Sequence, residues 1–299
     1  MILSKHPLVS VIMPTYKRAT YLERAIASVL EQTYPRIELI IVDDNGLGTT
    51  DGQAIEQIMV AYADDSRVRY IQHEVNQHGG AARNTGIQAA KGELITFLDD
   101  DDTYRPDKIA QQVTYLQAHS EHQAVYCGWQ RGTNYIFERT GDLSYELLSS
   151  DQIILTNTIM MYREAAVACG GFDVRLKRHQ EAVFLLRYFA TGGTIGVVSQ
   201  VLVDYDMSDR QNAEEDARRF EELTTFYLDI SQPFIERVVA QQPDLEKKIW
   251  VHRWRGNLLY YLKMRNLRGA LSFYWRKGWR YPFYFHQAFL TYVWEKLFN

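Results

Sequence analysis

Three apolar runs, Val9–Met13, Ile37–Val42 and Leu94–Leu98, each broken by a single polar residue (Ser10, Glu38 and Thr96), constrain this chain more than any other feature. Runs this short, with no sustained polar alternation, read as strands buried on both faces, the mark of a parallel sheet covered by helices. The segments between them agree. Tyr21, Leu22, Ala25, Ile26, Val29 and Leu30 recur at helical spacing before Pro35. Residues 54–63 form a weaker helical pattern, Val68–Gln72 a short strand, and Gly79-Gly80 opens a helix over Ala81–Ala90. This β-α-β-α alternation predicts an α/β fold whose central sheet is mostly parallel and flanked by helices. Ligands of such sheets bind beyond the carboxyl ends of the strands. Those ends are polar here: Thr15–Arg18, Asp43–Asn45 and Asp99–Asp102.

Beyond Asp102 the pattern loosens. A helix over Asp107–Ala118 precedes a strand over Ala124–Trp129 and a mixed stretch to Ile159–Tyr162. Glu181–Ala190 reads as helix, Thr194–Tyr205 as strand, and polar Asp206–Asp216 as a linker or mobile loop. Residues 216–299 read as helices with aromatic and basic faces, so a domain over 1–210 is followed by a helical region over 211–299. The charge divides the same way. Residues 241–299 hold 11 Lys and Arg against 3 Asp and Glu, and the rest of the chain holds 22 against 34. Such asymmetry marks the tail as a separate functional layer. Cys127 and Cys169 have neither metal spacing nor a disulfide framework, which fits a reducing compartment. Met1–Pro7 is too short and polar for a signal peptide, and no run of about 18 apolar residues exists to span a bilayer. The expected location is cytoplasmic, with membrane contact confined to a peripheral position on the inner face.

Four consecutive aspartates after a buried strand repel one another and bring no structural gain of their own. A solvated acidic turn would explain them alone, but the preceding strand fixes their start in space. In an extended segment alternate residues share a face, so Asp99 and Asp101 would point the same way. Two carboxylates so placed suit a hard divalent cation, Mn2+ or Mg2+, shared with a diphosphate. Asp43-Asp44 closes its own strand in the same manner, either to accept hydrogen bonds from a base imide or ribose, or to cap the next helix. Gly79-Gly80-Ala81-Ala82-Arg83-Asn84 is a helix entry of small residues, where backbone and Arg83 can approach a phosphate closely.

Taken in order, these segments resemble the family 2 glycosyltransferases, inverting enzymes of the Rossmann-like GT-A fold, and in particular those of bacterial surface polysaccharides. The matching pieces are Val9-Ser10-Val11-Ile12-Met13-Pro14-Thr15-Tyr16, Ile41-Val42-Asp43-Asp44-Asn45, Ala82-Arg83-Asn84-Thr85-Gly86 and Phe97-Leu98-Asp99-Asp100-Asp101-Asp102, followed by Pro106-Asp107-Lys108. The resemblance covers residues 7–205. It implies a metal-dependent hexosyl- or N-acetylhexosaminyltransferase with a UDP-sugar donor and a glycan acceptor, lipid-linked in some members. It also implies that Thr15, Asp44 and Arg83 contact the nucleoside, Asp99 the ribose, and Asp101 the metal. Pro14, Tyr16, Asp43 and Asp100 complete the donor-binding set.

Inverting transfer needs a carboxylate to take the acceptor's proton. Gly170-Gly171-Phe172-Asp173 and Arg178-His179-Gln180-Glu181, followed by Phe184-Leu185-Leu186-Arg187, look like the family's acceptor side. Its base is usually an Asp, and that position here is Glu181. The extra methylene moves the carboxylate by roughly 1.5 Å, so the helix or the acceptor must sit differently. The plain alternative is an exposed helical Glu near Arg187. Asp173 is the fallback base in a turn-like setting, and His179 reads as an acceptor-pocket or polar surface residue.

In the tail, aromatics from Trp250 to Phe285 alternate with Arg253, Arg255, Lys263, Arg265, Arg268, Arg276, Lys277 and Arg280. That mixture suits an amphipathic helix on anionic lipid. Packing on the catalytic domain, or on a second copy in a homo-oligomer, would use it equally well. Nucleic acid is not an expected partner, because the acidic N-terminal domain opposes it. Two further readings stand beside the enzyme: a non-catalytic sugar-nucleotide-binding assembly module, favoured by the Asp-to-Glu departure, and a nucleotidyltransferase. The latter usually carries a Gly-rich loop after its first strand, which this chain lacks.

Overall fold

The apolar runs become adjacent strands. In the computed structural model, which describes residues 3–149, 154–206 and 216–283 with His286 and Leu290, four strands pair in parallel. They are β1 (Val9–Thr15), β2 (Ile37–Asp43), β3 (Val68–Gln72) and β4 (Leu94–Phe97), in spatial order β3-β2-β1-β4. Helices α1 (Ala19–Leu30), α2 (Thr50–Met59) and α3 (His78–Ala89) make the connections. Leu22, Ala25, Ile26 and Val29 of α1 are all buried, the apolar stripe that its spacing predicts. Helix α2 starts four residues before the sequence pattern does. The Thr49 hydroxyl accepts from Gly52 N at 3.0 Å and caps it there.

The second half of the sheet is mixed. Strands β5 (Thr103–Tyr104), β6 (Ala124–Arg131), β7 (Thr133–Tyr135), β8 (Met160–Tyr162) and β9 (Ile195–Asp204) extend it as β4-β8-β6-β9-β5, with β7 paired on β6. Strand β8 runs antiparallel to β4, so the parallel character expected of the sheet belongs mainly to its first four strands. Helix α4 (Lys108–Ala118) crosses from β5 to β6. Its Lys108 is fully buried, donating to Thr96 Oγ1 on β4 and to Gln112 Oε1, both at 2.8 Å, with the ammonium 4.0 Å from the Tyr104 ring centre. Burial lowers its pKa to about 8.

The chain divides into two compact units, Met1–Leu143 with Ile154–Asp209, and Ser144–Ile153 with Arg210–Asn299. The second therefore takes in α5 (Ser144–Ser149), a helix lying inside the range expected for the first domain. The first unit ends its helices with α6 (Arg163–Ala168) and α7 (Gln180–Ala190). The second consists of α5 with α8 (Ala217–Gln241), α9 (Leu245–Lys263) and α10 (Leu267–Arg276). The expected linker falls largely on 207–215, outside the described residues.

Within the second unit, Val251, Trp254, Leu258, Tyr261, Ala270 and Phe273 form the core. Arg253 is buried too. Its guanidinium donates to the Leu148 carbonyl at 2.6 Å and to that of Leu147, and stacks 4.6 Å from the Tyr227 ring centre. These groups satisfy the open C-terminal carbonyls of α5. Several aromatic and basic residues of the tail thus serve internal packing rather than a surface. Tyr284 and Phe285 lie outside the described residues.

Candidate active site

The register of the first unit aligns three polar strand ends. Thr15 pairs with Asp43, and Ile12 with Phe97, so β1, β2 and β4 finish along one edge. Asp44 N donates to Thr15 O at 2.9 Å and Leu98 N to Ile12 O at 3.0 Å, carrying the pairing just beyond the strands. Pro14 is half-buried on β1, Thr15 is buried, and Tyr16 is exposed past the end.

At the β2 end the two aspartates differ. Asp43 is buried and fully engaged: Oδ1 accepts from Asn45 N at 2.9 Å and Asn45 Nδ2 at 2.7 Å, and Oδ2 from the Tyr70 hydroxyl at 2.6 Å. Asp44 Oδ1 accepts from Gln77 N at 2.8 Å and lies 2.8 Å from His73 Nδ1. The other nitrogen of His73 sits 2.9 Å from the Thr85 hydroxyl. Asp44 Oδ2 has no hydrogen bond among the described residues.

The β4 end departs from the extended segment expected for it. Asp102 N donates to Asp99 O at 3.2 Å, so Asp99–Asp102 is a turn. Tertiary donors bend it: Asn157, in the 3-10 turn Thr156–Thr158, gives Nδ2 to Asp102 Oδ2 at 2.6 Å and accepts Asp99 N at 3.1 Å. The alternation survives in another form. Asp100 and Asp102 are buried, whereas Asp99 and Asp101 are partly open and paired with Arg83 and Arg18 respectively. Asp100 accepts from Tyr16 N at 3.2 Å. Burial, reinforced by neighbouring carboxylates, pushes Asp100 up to about 7 and Asp102 up to about 9.

Arg83 joins the two sides of the site. Besides Asp99, it donates to Gln180 Oε1 at 2.8 Å, the residue before Glu181 in the first turn of α7. Its Nε is buried without a hydrogen-bond partner among the described residues. Asn84 clamps the loop ahead of α7, donating to Phe172 O at 2.9 Å and accepting Phe172 N at 2.8 Å. Two glycines permit this approach. A Cβ on Gly86 would fall 2.3 Å from Ile12 Cγ2, and one on Gly171, already at φ +66°, would fall 2.5 Å from Asn84 Oδ1.

The candidate bases separate clearly. Asp173 is buried in an ion pair with Arg175 at 2.6 Å and Arg187 at 2.8 Å, and hydrogen bonding from Arg175 holds it below the usual carboxylate range. It builds a turn, as Arg175 N bonding its Oδ1 at 3.1 Å shows, and it occupies the Arg187 expected beside Glu181. Glu181 is half-buried. Its charge, with those of Asp102 and Asp99, adds to the burial that raises Tyr205 well above the ordinary tyrosine value. His179 precedes α7 in a left-handed conformation, φ 59°.

Mn2+ and Mg2+ take one or two protein carboxylates and complete their shells with water and substrate phosphate. Among the described residues no group of three His, Cys, Asp or Glu side chains could hold a metal alone. Asp101, with Asp99 in the same turn, fits the smaller donor set that a metal shared with a diphosphate requires.

The sequence pattern of glycosyl transferase family 2 matches residues 10–179. TuaG of Bacillus subtilis, named for teichuronic acid biosynthesis, is 38% identical over 206 residues, 67% of this chain and 79% of its own. WcaA of Escherichia coli, named for colanic acid biosynthesis, is 37% identical over 124 residues, 42% of this chain and 43% of its own. The chain spans 64% of a matching Haemophilus influenzae glycosyltransferase and 24% of one from Rickettsia felis. Among solved structures, Staphylococcus aureus TarS 1–349 with UDP-GlcNAc superposes with a TM-score of 0.60 at 18% identity, covering 91% of this chain and 92% of that one. The mannosyltransferase PcManGT of Pyrobaculum calidifontis, with GDP-Man and Mn2+, gives 0.60 at 18%, covering 99% and 88%. The chain belongs to glycosyl transferase family 2, and its first unit carries the GT-A fold.

Proposed function

We propose that the protein is an inverting, metal-dependent glycosyltransferase that moves a hexosyl or N-acetylhexosaminyl group from a UDP-sugar to a glycan hydroxyl in bacterial surface-polysaccharide synthesis. The observation that carries this is Arg83, whose one guanidinium bonds Asp99 on the donor side and Gln180 beside Glu181 on the acceptor side. The ligands of TarS and PcManGT support a nucleotide-sugar donor, and the names of TuaG and WcaA support a surface glycan as product.

In this reading Asp44 accepts a hydrogen bond from the nucleobase through Oδ2, Thr15 and Arg83 contact the same nucleoside, and Pro14, Tyr16, Asp43 and Asp100 shape the pocket around it. Asp99 receives the ribose. A divalent cation at Asp101 supplies electrostatic stabilisation of the leaving diphosphate. Glu181 takes the proton as the acceptor oxygen bonds to the anomeric carbon, and the bond to the diphosphate breaks with its electron pair leaving on UDP.

The test combines UDP release with thermal shift, run over UDP- and GDP-sugars with Mn2+. Glu181→Gln should keep the donor-induced shift and lose turnover by about 10²-fold or more. Wild-type turnover in that variant removes the base assignment. Donor binding without release, in wild type given its acceptor, would favour the assembly-module reading.

A further inference from the structure

Helix α10 buries Ala270 and Phe273 in the core of the second unit and turns an apolar face outward. Leu267, Leu271, Trp275 and Trp279 are spaced four apart and are 69%, 60%, 57% and 58% exposed. Residues four apart share a helix face, so the first three form one stripe. The Trp275 and Trp279 rings lie with centroids 5.3 Å apart, which carries the stripe into the 3-10 turn that follows. An ordinary soluble helix shows water its polar side. Here both sides are apolar, and the outer one is a contiguous patch of the kind that marks an interaction surface.

The charge around the stripe selects the partner. Residues 263–283 contain six lysines and arginines and no aspartate or glutamate. Lys263, Arg265, Arg268, Arg276 and Arg280 are exposed, and of these Arg276 is paired with Glu221 at 2.9 Å and Arg280 with Glu246 at 3.8 Å, which leaves Lys263, Arg265 and Arg268 as the cations that would face lipid. Tryptophan and leucine rimmed by cations is the composition of a helix lying in the headgroup region of an anionic bilayer. We propose that the outer face of α10, with Trp279, is a membrane-docking surface for anionic phospholipid, inserted in the plane of the interface and not across it. Trp254, Tyr261 and Phe273 take no part because they are core, and Arg253 is held by the carbonyls of α5. No described helix is long and apolar enough to cross a membrane. The proposal is independent of the catalytic assignments above.

Flotation of the full chain with vesicles tests it. Wild type should float with phosphatidylcholine vesicles containing about a third phosphatidylglycerol, and stay at the bottom with pure phosphatidylcholine. Trp275→Ser with Trp279→Ser should lower partitioning by about ten-fold or more, as should Leu267→Gln with Leu271→Gln. Phe226→Ser, an exposed aromatic of α8 in the same unit, should leave it unchanged. All variants change surface residues, and melting temperatures near wild type confirm their folding. Equal flotation of wild type and both stripe variants overturns the proposal, as does flotation that ignores lipid charge. A wild-type dimer in light scattering that the stripe variants break, with no vesicle binding, also overturns it and assigns the face to a second copy.

Discussion

The ends of β2 and β4 begin alike, with aspartates just past a buried apolar strand, and the fold treats them differently. At β2 the Asp43 carboxylate is surrounded by neutral donors from its own neighbourhood, Asn45 and Tyr70. It is solvated by fixed dipoles, and nothing further is needed to complete it. At β4 four carboxylates share one turn: Arg83 opposes Asp99, Arg18 opposes Asp101 and lies 3.6 Å from Asp100, and burial pushes Asp100 and Asp102 toward protonation. That end is balanced by counter-charges, which a diphosphate or a divalent cation can exchange. One sequence pattern thus yields a finished scaffold in one place and an adjustable charge centre in the other.

The largest effect should separate the two ends by turnover. Asp101→Ala should lower kcat by about 10³-fold and abolish Mn2+-dependent UDP affinity, with little change in melting temperature. An active Asp101→Ala enzyme would make the β4 end a scaffold like the β2 end. Next comes Lys108, the buried ammonium bonded to Thr96 of β4 with no carboxylate paired to it among the described residues. Its pKa is lowered from 10.5 to about 8, so between those values the unfolded chain binds the proton and the folded chain does not. Stability from this group therefore rises as pH climbs through that window. The stability of wild type relative to Lys108→Met should improve by about 3 kcal/mol between pH 7 and pH 10.5, measured by urea titration. A constant difference would show that the β4 region does not carry that buried charge.

How far this contrast could be seen in the sequence depends on where each partner lies. Asp44, Arg83 and the β4 aspartates sit in contiguous motifs at strand ends, so their convergence follows from a parallel sheet. Asn157 does not: it lies 55 residues from Asp102 in sequence and meets it only because β8 returns antiparallel beside β4. Arg18 stands in a polar segment visible beyond β1, but nothing local pairs it with Asp101, 83 residues away. His73 and Gln180 act through long-range contacts of the same kind. The run of four aspartates suggested an extended strand end because local reasoning lacks the Asn157 donor that bends it. In the tail the signal is local. Phe273 and Trp275 are two apart and so on opposite sides of a helix, one in the core and one exposed.

The two smaller predictions concern the β2 end itself. Asp43→Asn turns an acceptor of several hydrogen bonds into a group that presents its own N–H to donors, at a cost of about 2 kcal/mol in urea unfolding. The donor KM should be nearly unchanged, since Asp43 has no free oxygen to offer. Asp44→Asn should do the reverse. Gln77 N and His73 Nδ1 converge on Oδ1, so the amide oxygen of an asparagine would take that place and its NH2 would occupy the position of Oδ2. A nucleobase N–H would then face a donor instead of an acceptor. KM for the UDP-sugar should rise about ten-fold, near 1.4 kcal/mol, with kcat preserved, because this contact is made equally before and during transfer. An equal loss in kcat would mean that Asp44 acts in the transition state, and the scaffold-and-contact division of the β2 end would have to be redrawn.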